Sequence, residues 1–130
     1  MSLDLHLEAD QHLTTALLGR LLENLPRTEQ ANVPGGIQAT FPSGLSLRCE
    51  DSQLQPEIYA EDRKGCDFSV GLRCYLRIKG PEPEGHSALD EIRWLLENIA
   101  QSCEALFILS FQYEATLYWR DANGLHCADD

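Results

Sequence analysis

Basic residues are scarce in this chain. Its 130 residues include 10 lysines and arginines against 21 aspartates and glutamates, which gives a formal net charge of -11. Nucleic-acid phosphates and anionic lipids repel so acidic a protein, because binding to either depends on basic side chains. The composition therefore argues against nucleic-acid and membrane binding and favours a basic protein as the partner. Acidity that serves only solubility is the alternative.

Long hydrophobic runs and closely spaced cysteines are absent as well. No apolar stretch approaches the ~20 residues of a membrane-spanning helix, and the first residues lack the basic and then apolar pattern of a signal peptide. The five cysteines are odd in number, widely spaced and without a C-x-x-C pair. We therefore expect reduced thiols and a cytoplasmic protein. The cysteines are Cys49, Cys66, Cys74, Cys103 and Cys127.

Motifs for metal binding or catalysis are also missing. The four histidines show no H-x-x-x-H or H-E-x-x-H spacing, whereas a zinc site needs three or four converging ligands. Pro42-Ser43-Gly44 is typical of a hairpin turn rather than of a turn that presents a nucleophile. We therefore predict no metal, no cofactor and no catalytic residue. The enzymatic alternative is a site assembled from scattered residues such as Glu50, His86 and Cys127.

Two long segments alternate between apolar and polar residues, the pattern of a strand with one buried face. Residues 106–120 place seven apolar side chains on one side, from Phe107 to Trp119, and Glu114, Tyr118 and Arg120 on the other. Because this strand would be far longer than usual, we expect a bulge or bend near Glu114. Residues 68–79 alternate in the same way and turn Tyr75 and a cluster of three cations outward: Arg73, Arg77 and Lys79.

Shorter patterns predict the remaining elements. We expect an opening strand over residues 3–7, a loop over 26–36, a hairpin over 37–49, a weaker strand over 57–60, and a return strand over 125–127 after the Asn123-Gly124 turn. Leucines at helical spacing predict a helix that begins after Asp10 as N-cap and ends before Pro26. A second helix begins at Ser87, buries the face that carries Leu89, and leaves Trp94 exposed beside Glu97.

The predicted fold is a single α+β domain over residues 1–130. Its antiparallel sheet has about five or six strands, and both amphipathic helices pack on one face. The opposite face of the sheet is then polar and open to solvent. Because no catalytic motif is present, this face and the charges around it are the best functional signal in the sequence.

Acidic residues and exposed aromatic residues mark the predicted partner-binding surface. Residues 50–62 hold five acids and no basic residue, and residues 80–104 hold six acids against Arg93 alone. Tyrosine and tryptophan often dominate the energetics of interfaces, and acidic flanks accelerate encounter with a cationic partner. The predicted binding residues are Glu50, Asp51, Glu57, Glu61, Asp62, Tyr75, Trp94, Glu97, Glu114 and Tyr118.

Two simpler interpretations remain open at this point. Arg73 and Arg77 would pair with Glu114 or with another acid on a neighbouring strand, and would then serve only the sheet. Trp94 would mark a homodimer contact instead of a contact with a different protein.

The acidic single domain, its two helices with a sheet, and its closing stretch resemble small bacterial immunity proteins of polymorphic and type VI secretion toxins. The resemblance implies a cytoplasmic, non-enzymatic inhibitor that binds a cognate toxin domain and blocks its active site or its access to substrate. Carboxylates would pair with cations that the toxin uses on an anionic substrate. The residues that carry the likeness are Ser110-Phe111-Gln112-Tyr113-Glu114 and Tyr118-Trp119-Arg120-Asp121-Ala122-Asn123-Gly124-Leu125.

Acidic secretion chaperones are the alternative class of binding protein. They resemble this chain in length and in having helices around a twisted sheet, and they hold an extended segment of an effector. The chain departs from them because it has no clear C-terminal helix and closes with a turn followed by Asp129-Asp130.

Overall fold

The strands of the chain join in one antiparallel sheet. A computed structural model describes residues 2–25, 28–52 and 54–128. Within these residues the sheet has eight strands, in the spatial order β2-β3-β4-β5-β1-β6-β7-β8. The strands are β1 Ser2–Ala9, β2 Glu29–Val33, β3 Gly36–Thr40, β4 Ser46–Asp51, β5 Leu72–Lys79, β6 Phe107–Phe111, β7 Ala115–Asp121 and β8 Gly124–Cys127.

Two helices, α1 Thr15–Glu23 and α2 Ala88–Ser102, join the inward side chains of the sheet in the main core. Leu18, Leu22 and Leu96 are buried in the same apolar cluster as Leu7 and Leu47. The α+β class with two helices and an antiparallel sheet is therefore confirmed, but the sheet has eight strands rather than five or six.

Strand β2 accounts for part of that difference, because it lies where a loop was predicted. It pairs with β3 from Glu29 opposite Thr40 to Val33 opposite Gly36. The four residues Glu29 to Asn32 are exposed, since β2 is an edge strand without a cover. A strand that is exposed to solvent on both faces has no apolar alternation, so its sequence is typical of a loop.

The predicted fifteen-residue strand is a hairpin of two strands, β6 and β7. Gln112 and Tyr113 both have positive φ, 53° and 63°, and the Glu114 amide donates to the Phe111 carbonyl over 2.9 Å. This is the geometry of a type I′ turn, which usually carries Asn or Gly. The predicted irregularity near Glu114 is therefore a complete reversal of the chain, and a bulge-type register shift follows it at Leu117.

A register shift within the β6–β7 pair, and not the turn itself, changes which face the later side chains of β7 occupy. Ser110 lies opposite Thr116 but Leu109 lies opposite Tyr118, so Leu117 is an extra residue in β7. Trp119 lies opposite Ile108, and Tyr118 lies opposite Leu109. Tyr118 is half-buried and packs against the main core. Its prediction as an outward residue was therefore wrong, because the extra residue Leu117 shifts the alternation of β7 by one position.

The observed N-cap residue differs from the predicted one in α1 and agrees with it in α2. Thr14 is the N-cap of α1, since its hydroxyl accepts from the Leu17 amide at 3.1 Å. Asp10, the predicted cap, is buried and accepts instead from the His12 and Leu106 amides. Ser87 caps α2 as predicted and accepts from the Asp90 amide.

The apolar face of α2 is rotated slightly from the predicted one. Leu89 is 59% exposed because it lies in the first turn at the rim of the buried stripe, where Ala88 takes the inner position. Trp94 is half-buried and packs against the main core. Its predicted exposure was wrong, since the side chain shares a cleft with Leu25 and Pro42.

An irregular segment between β4 and β5 crosses part of the second sheet face; we call residues 54–71 the strap. Its apolar residues Ile58, Ala60, Cys66 and Val70 form a second small core with Ile108 of β6. The predicted strand over 57–60 is absent, because the amides of residues 59 and 60 bond to a carboxylate of β1 instead of to a strand. Strand β5 correspondingly begins at residue 72, not 68.

Two cysteines of the main core form a disulfide, contrary to the expectation of reduced thiols. Cys49 and Cys74 are direct partners in the register of β4 and β5. Spacing along the sequence cannot reveal such a cross-strand pair. The argument for a cytoplasmic location from reduced cysteines is thereby removed. Cys66, Cys103 and Cys127 are free.

Neither helix among the described residues is long and apolar enough to cross a membrane.

Candidate protein-binding face

The second face of the sheet is open over β4, β5 and the first half of β1. Alternation in these strands sends Cys49, Cys74 and Leu5 into the main core and so points their neighbours to the other side. The outward residues form charged and aromatic pairs across the strands. Direct partners in register are Asp4 with Arg77, His6 with Tyr75, and Glu8 with Arg73.

Glu8 is the anchor of this face. The Glu8 side chain is fully buried, with 0% exposure, and its Oε2 lies 2.5 Å from Nη1 of Arg73. The Arg73 side chain is 14% exposed. The Glu8 carboxylate also accepts from the amides of Tyr59 at 2.7 Å and Ala60 at 3.0 Å. The charge is therefore compensated by three donors, which is what a buried carboxylate requires.

Arg73 ties the other end of the strap to the sheet. Its guanidinium donates to the carbonyls of Gln55, at 2.8 Å, and of Glu57, and its Nε donates to the Ser52 hydroxyl at 2.9 Å. Together Glu8 and Arg73 hold the strap through its backbone. The predicted outward cation is thus a structural residue, in agreement with the simpler interpretation that Arg73 pairs on the sheet.

Four aromatic rings lie in a row beside this ion pair. His6 stacks on Tyr113 at 3.9 Å and on Tyr75 at 5.3 Å between ring centroids. Tyr59 meets Tyr113 edge to face at 5.8 Å, and the Arg73 guanidinium lies 3.8 Å from the Tyr59 ring centroid. These distances are typical of favourable ring and cation–π contacts. We call Tyr59, Tyr113, His6 and Tyr75 the aromatic row.

Burial and hydrogen bonding favour the neutral forms of His6, Tyr75 and Tyr113 through shifts of their pKa values. Burial lowers the pKa of His6, and the nearby Asp4 and Glu8 carboxylates only partly oppose this. Burial raises the pKa of Tyr113, and the hydrogen bond to Asp4 at 2.6 Å raises that of Tyr75. The row therefore offers neutral rings to a partner.

The arginines of the open face already have acidic partners within the chain, whereas Lys79 at the end of β5 is exposed and has no ion-pair partner among the described residues. Arg48 pairs with Glu50 at 3.0 Å, and Arg77 lies 3.9 Å from Asp4. Several exposed carboxylates of β4, the strap and the β6–β7 turn also have no ion-pair partner in the part of the chain that the structure describes; they are Asp51, Glu57, Glu61 and Glu114. These carboxylates remain available to another molecule.

The predicted binding residues do not form one patch. Glu50 and Tyr75 line a cleft of about 500 Å³ with His6 and Tyr113. Trp94 lines a separate cleft, and Glu97 and Tyr118 line a third with Arg93, to which Glu97 is paired. Asp62 is held by Lys64 at 2.9 Å, and this bond lowers the pKa of its carboxyl.

Sequence reasoning missed His6, Tyr59 and Tyr113 as members of the site. His6 was visible as an outward residue of β1, but the two tyrosines reach it from the strap and from the β6–β7 turn. Neither position could be derived, because both depend on segments whose conformation the sequence did not predict.

The three residues named for an enzymatic alternative lie apart. Glu50, His86 and Cys127 line three different clefts. A histidine and an aspartate do meet elsewhere, where His126 Nε2 lies 2.9 Å from Asp121 Oδ1.

Burial and the Asp121 carboxylate raise the pKa of the Cys66 thiol, which disfavours the thiolate form that a nucleophile requires. Among the described residues, no three His, Cys, Asp or Glu side chains are grouped closely enough to hold a metal ion.

Comparison of the chain with protein-family models, with curated proteins and with solved structures finds no match.

Proposed function

We propose that the protein is a non-enzymatic protein-binding domain, and that it acts as an immunity protein which blocks a cognate bacterial toxin. The observation that carries the binding role is the aromatic row on an open sheet face whose arginines are already paired within the chain. The specific role in toxin neutralisation comes from the resemblance of the closing stretch, residues 110–125, to immunity proteins.

The composition of the open face supports protein binding. Tyrosine and arginine are enriched at interface hot spots, and here Tyr59, Tyr75 and Arg73 are held by hydrogen bonds and ring contacts before any partner arrives. Side chains that are already ordered lose less conformational entropy when a complex forms. Such a face is suited to a folded partner of complementary shape.

The distribution of charge supports a basic partner. The exposed and unpaired carboxylates of Glu57, Glu61 and Glu114 lie in the strap and in the β6–β7 turn, the two segments that contribute Tyr59 and Tyr113 to the row. The whole chain carries a formal charge of -11. A field of one sign accelerates the encounter with an oppositely charged protein by ~10–10³-fold at low salt. A toxin that acts on an anionic substrate has a basic active site, and occupation of that site by this face would exclude the substrate.

Co-expression with the product of an adjacent toxin gene tests the function. We expect the protein to restore growth, and we expect the purified protein to form a stoichiometric complex with the folded toxin domain on size exclusion. If the protein protects against none of the neighbouring toxins, the immunity role is refuted. Binding to an unfolded effector segment alone, with no affinity for a folded domain, would identify a secretion chaperone instead.

Variants on the two faces locate the interaction. Tyr75→Ala removes a ring of the row that is 38% exposed, and we expect it to weaken the complex without unfolding the chain. Leu89→Ala is the matched control, because it removes an exposed side chain on the helical side. Weakening by Leu89→Ala alone would place the interface on α2 and contradict the proposed face.

A further inference from the structure

Trp94 and two carboxylates lie together on the first half of α2. Asp90 and Glu91 precede Trp94 by four and three positions, a spacing that makes side chains neighbours on one helix face. Helical side chains lean toward the N-terminus of the helix, so the indole leans toward the turn that carries both acids. All three side chains accordingly line one cleft.

The apolar part of this cleft is formed by Leu25, Pro42 and Trp94, and its volume is about 510 Å³. We call it the Trp94 cleft. Trp94 is half-buried against the main core, but its ring has no stacking or cation–π partner among the described residues. The ring is therefore available to another molecule, unlike the stacked rings of the aromatic row.

The charge in the Trp94 cleft is negative. Glu91 is fixed in place, because its carboxylate accepts from the Ser43 amide at 3.1 Å and from the Ser43 hydroxyl at 2.5 Å. Neither Glu91 nor Asp90 has an ion-pair partner in the part of the chain that the structure describes. Apart from His86, no basic side chain is among the described residues that line the cleft.

The helix itself does not neutralise these acids. The N-terminus of a helix carries only about half a positive charge, whereas Asp90 and Glu91 together carry two negative charges. The cleft therefore combines an apolar floor with an excess of negative charge, which is complementary to a side chain with an aliphatic stem and a cationic head.

We propose that the Trp94 cleft binds an arginine side chain from a basic segment of another protein. The aliphatic stem packs on Leu25 and Pro42, and the guanidinium stacks on Trp94 beside the Asp90 carboxylate. Arginine is favoured over lysine because its planar, weakly hydrated guanidinium stacks on aromatic rings, of which tryptophan is the best acceptor. This cleft is separate from the one beside the aromatic row, so the inference goes beyond the proposed toxin-binding face and does not depend on it.

Four blocked pentapeptides with a central arginine, citrulline, lysine or leucine between alanine pairs test the occupant. Each is titrated into the isotope-labelled full chain, and two-dimensional NMR spectra follow the backbone amides of Asp90 and Glu91 and the indole of Trp94. Citrulline has the shape of arginine without its charge. We expect arginine to bind about 5- to 10-fold more tightly than citrulline, as one cation–π contact and one exposed ion pair require, and about 2-fold more tightly than lysine.

Several outcomes of these titrations would overturn the proposal. Equal affinities for the arginine and citrulline peptides would do so, as would shifts that leave the three reporter signals unchanged. Binding of the leucine peptide as tightly as the arginine peptide would identify an apolar occupant instead. Shifts of the same signals with protein concentration, in the absence of peptide, would identify a second copy of this chain.

The carboxylate of Asp90 provides the first variant, with Glu104 as the matched control beyond the C-terminal end of α2. Asp90→Asn and Glu104→Gln each remove one negative charge from an exposed residue. We expect Asp90→Asn to weaken arginine binding by about 2- to 5-fold and Glu104→Gln to leave it nearly unchanged. Equal weakening would mean that the peptide responds to total charge, which contradicts a localised site.

The ring of Trp94 provides the second pair of variants, read through the amides of Asp90 and Glu91. Trp94→Phe keeps a ring and should retain the preference for arginine over lysine, whereas Trp94→Leu should lose it. Both variants remove some packing against the main core, so unchanged signals of the core amides are the control for folding. A preference for arginine over lysine that survives in Trp94→Leu would show that the indole is not the stacking surface and would refute the proposed site.

Discussion

The two faces of the sheet are covered by different means. Helices α1 and α2 close the first face with leucines and isoleucines, and the main core extends beneath them from β3 to β6. The strap closes only part of the second face, with a small apolar cluster around Ile108. The remainder of that face is polar and open.

The strap is held mainly by directed bonds to its backbone. Glu8 accepts from two of its amides, the Glu61 amide donates to the Tyr113 carbonyl at 2.7 Å, and the Thr116 hydroxyl donates to the Asp62 carbonyl. The helices, in contrast, are held by area removed from water, which is non-directional. A few polar residues therefore hold the cover of the second face in place, whereas many apolar residues together stabilise the cover of the first.

The largest effect should follow from removal of the carboxylate that anchors the strap. Glu8→Ala leaves Arg73 and the amides of Tyr59 and Ala60 without their buried acceptor. We expect the free energy of unfolding to fall by about 3–5 kcal/mol, measured by urea denaturation. Hydrogen exchange should rise first in the strap amides and later in the main core.

Asp4→Ala is the matched control, because Asp4 also pairs with an arginine of β5 but both side chains are partly exposed. We expect a loss of about 1 kcal/mol or less. Equal losses for Glu8→Ala and Asp4→Ala would mean that the strap does not depend on the buried pair, and the contrast between the two faces would be wrong.

The Cys49–Cys74 disulfide lies on the helical face but closes the loop that carries the whole strap. The two cysteines are separated by 25 positions, and a cross-link of such a loop stabilises by about 3 kcal/mol through the entropy of the unfolded chain. Reduction should lower the free energy of unfolding by that amount.

Alkylation followed by mass spectrometry provides the check on the cross-link. Three thiols should react in the unfolded, non-reduced chain and five after reduction, since the chain has five cysteines and two of them are joined. Five reactive thiols before reduction would remove the disulfide and restore the expectation of reduced cysteines.

Two neighbouring residues of β6 allow the packing on the two faces to be compared directly. Leu109 is buried in the main core, whereas Ile108 is buried in the strap cluster, and both are almost fully inaccessible. Leu109→Ala should cost about 1–2 kcal/mol more than Ile108→Ala, because the irregular strap can collapse into the vacated space more readily than packed helices can. Urea denaturation of both variants would measure this, and a larger cost for Ile108→Ala would show that the strap is the more rigid cover.

Sequence reasoning succeeded where apolar periodicity determines the structure. The leucines of α1, the Ser87 cap of α2 and the alternation of β5 each report a local preference that the fold keeps. The type I′ turn at Gln112 and Tyr113 could not be predicted, because neither residue is usual at positive φ.

The candidate site was harder to predict from the sequence than the fold was. Tyr75 was predicted on the open face and lies there, since a single strand fixes its direction. Its neighbours Tyr59 and Tyr113 arrive from the strap and from the hairpin turn. The aromatic row therefore depends on long-range placement, which is determined by bonds such as those of Glu8 and not by any local pattern.

The smallest effect should be a pH dependence that arises from His6 on the open face. Burial lowers the pKa of His6 in the folded chain below its unfolded value near 6.5, so the unfolded chain binds the proton more readily. The neutral ring therefore stabilises the fold fully above pH 6.5, and this contribution is lost as the pH falls through 6.5 toward the folded pKa.

His6→Phe keeps a ring between Tyr75 and Tyr113 and cannot titrate, so it should lose less stability than the wild type between pH 7.5 and pH 5. Urea titrations of both proteins across this pH range provide the measurement. An identical loss in wild type and His6→Phe would show that the row is as accessible to protons as a free imidazole, and that the second face is more open than its ring contacts imply.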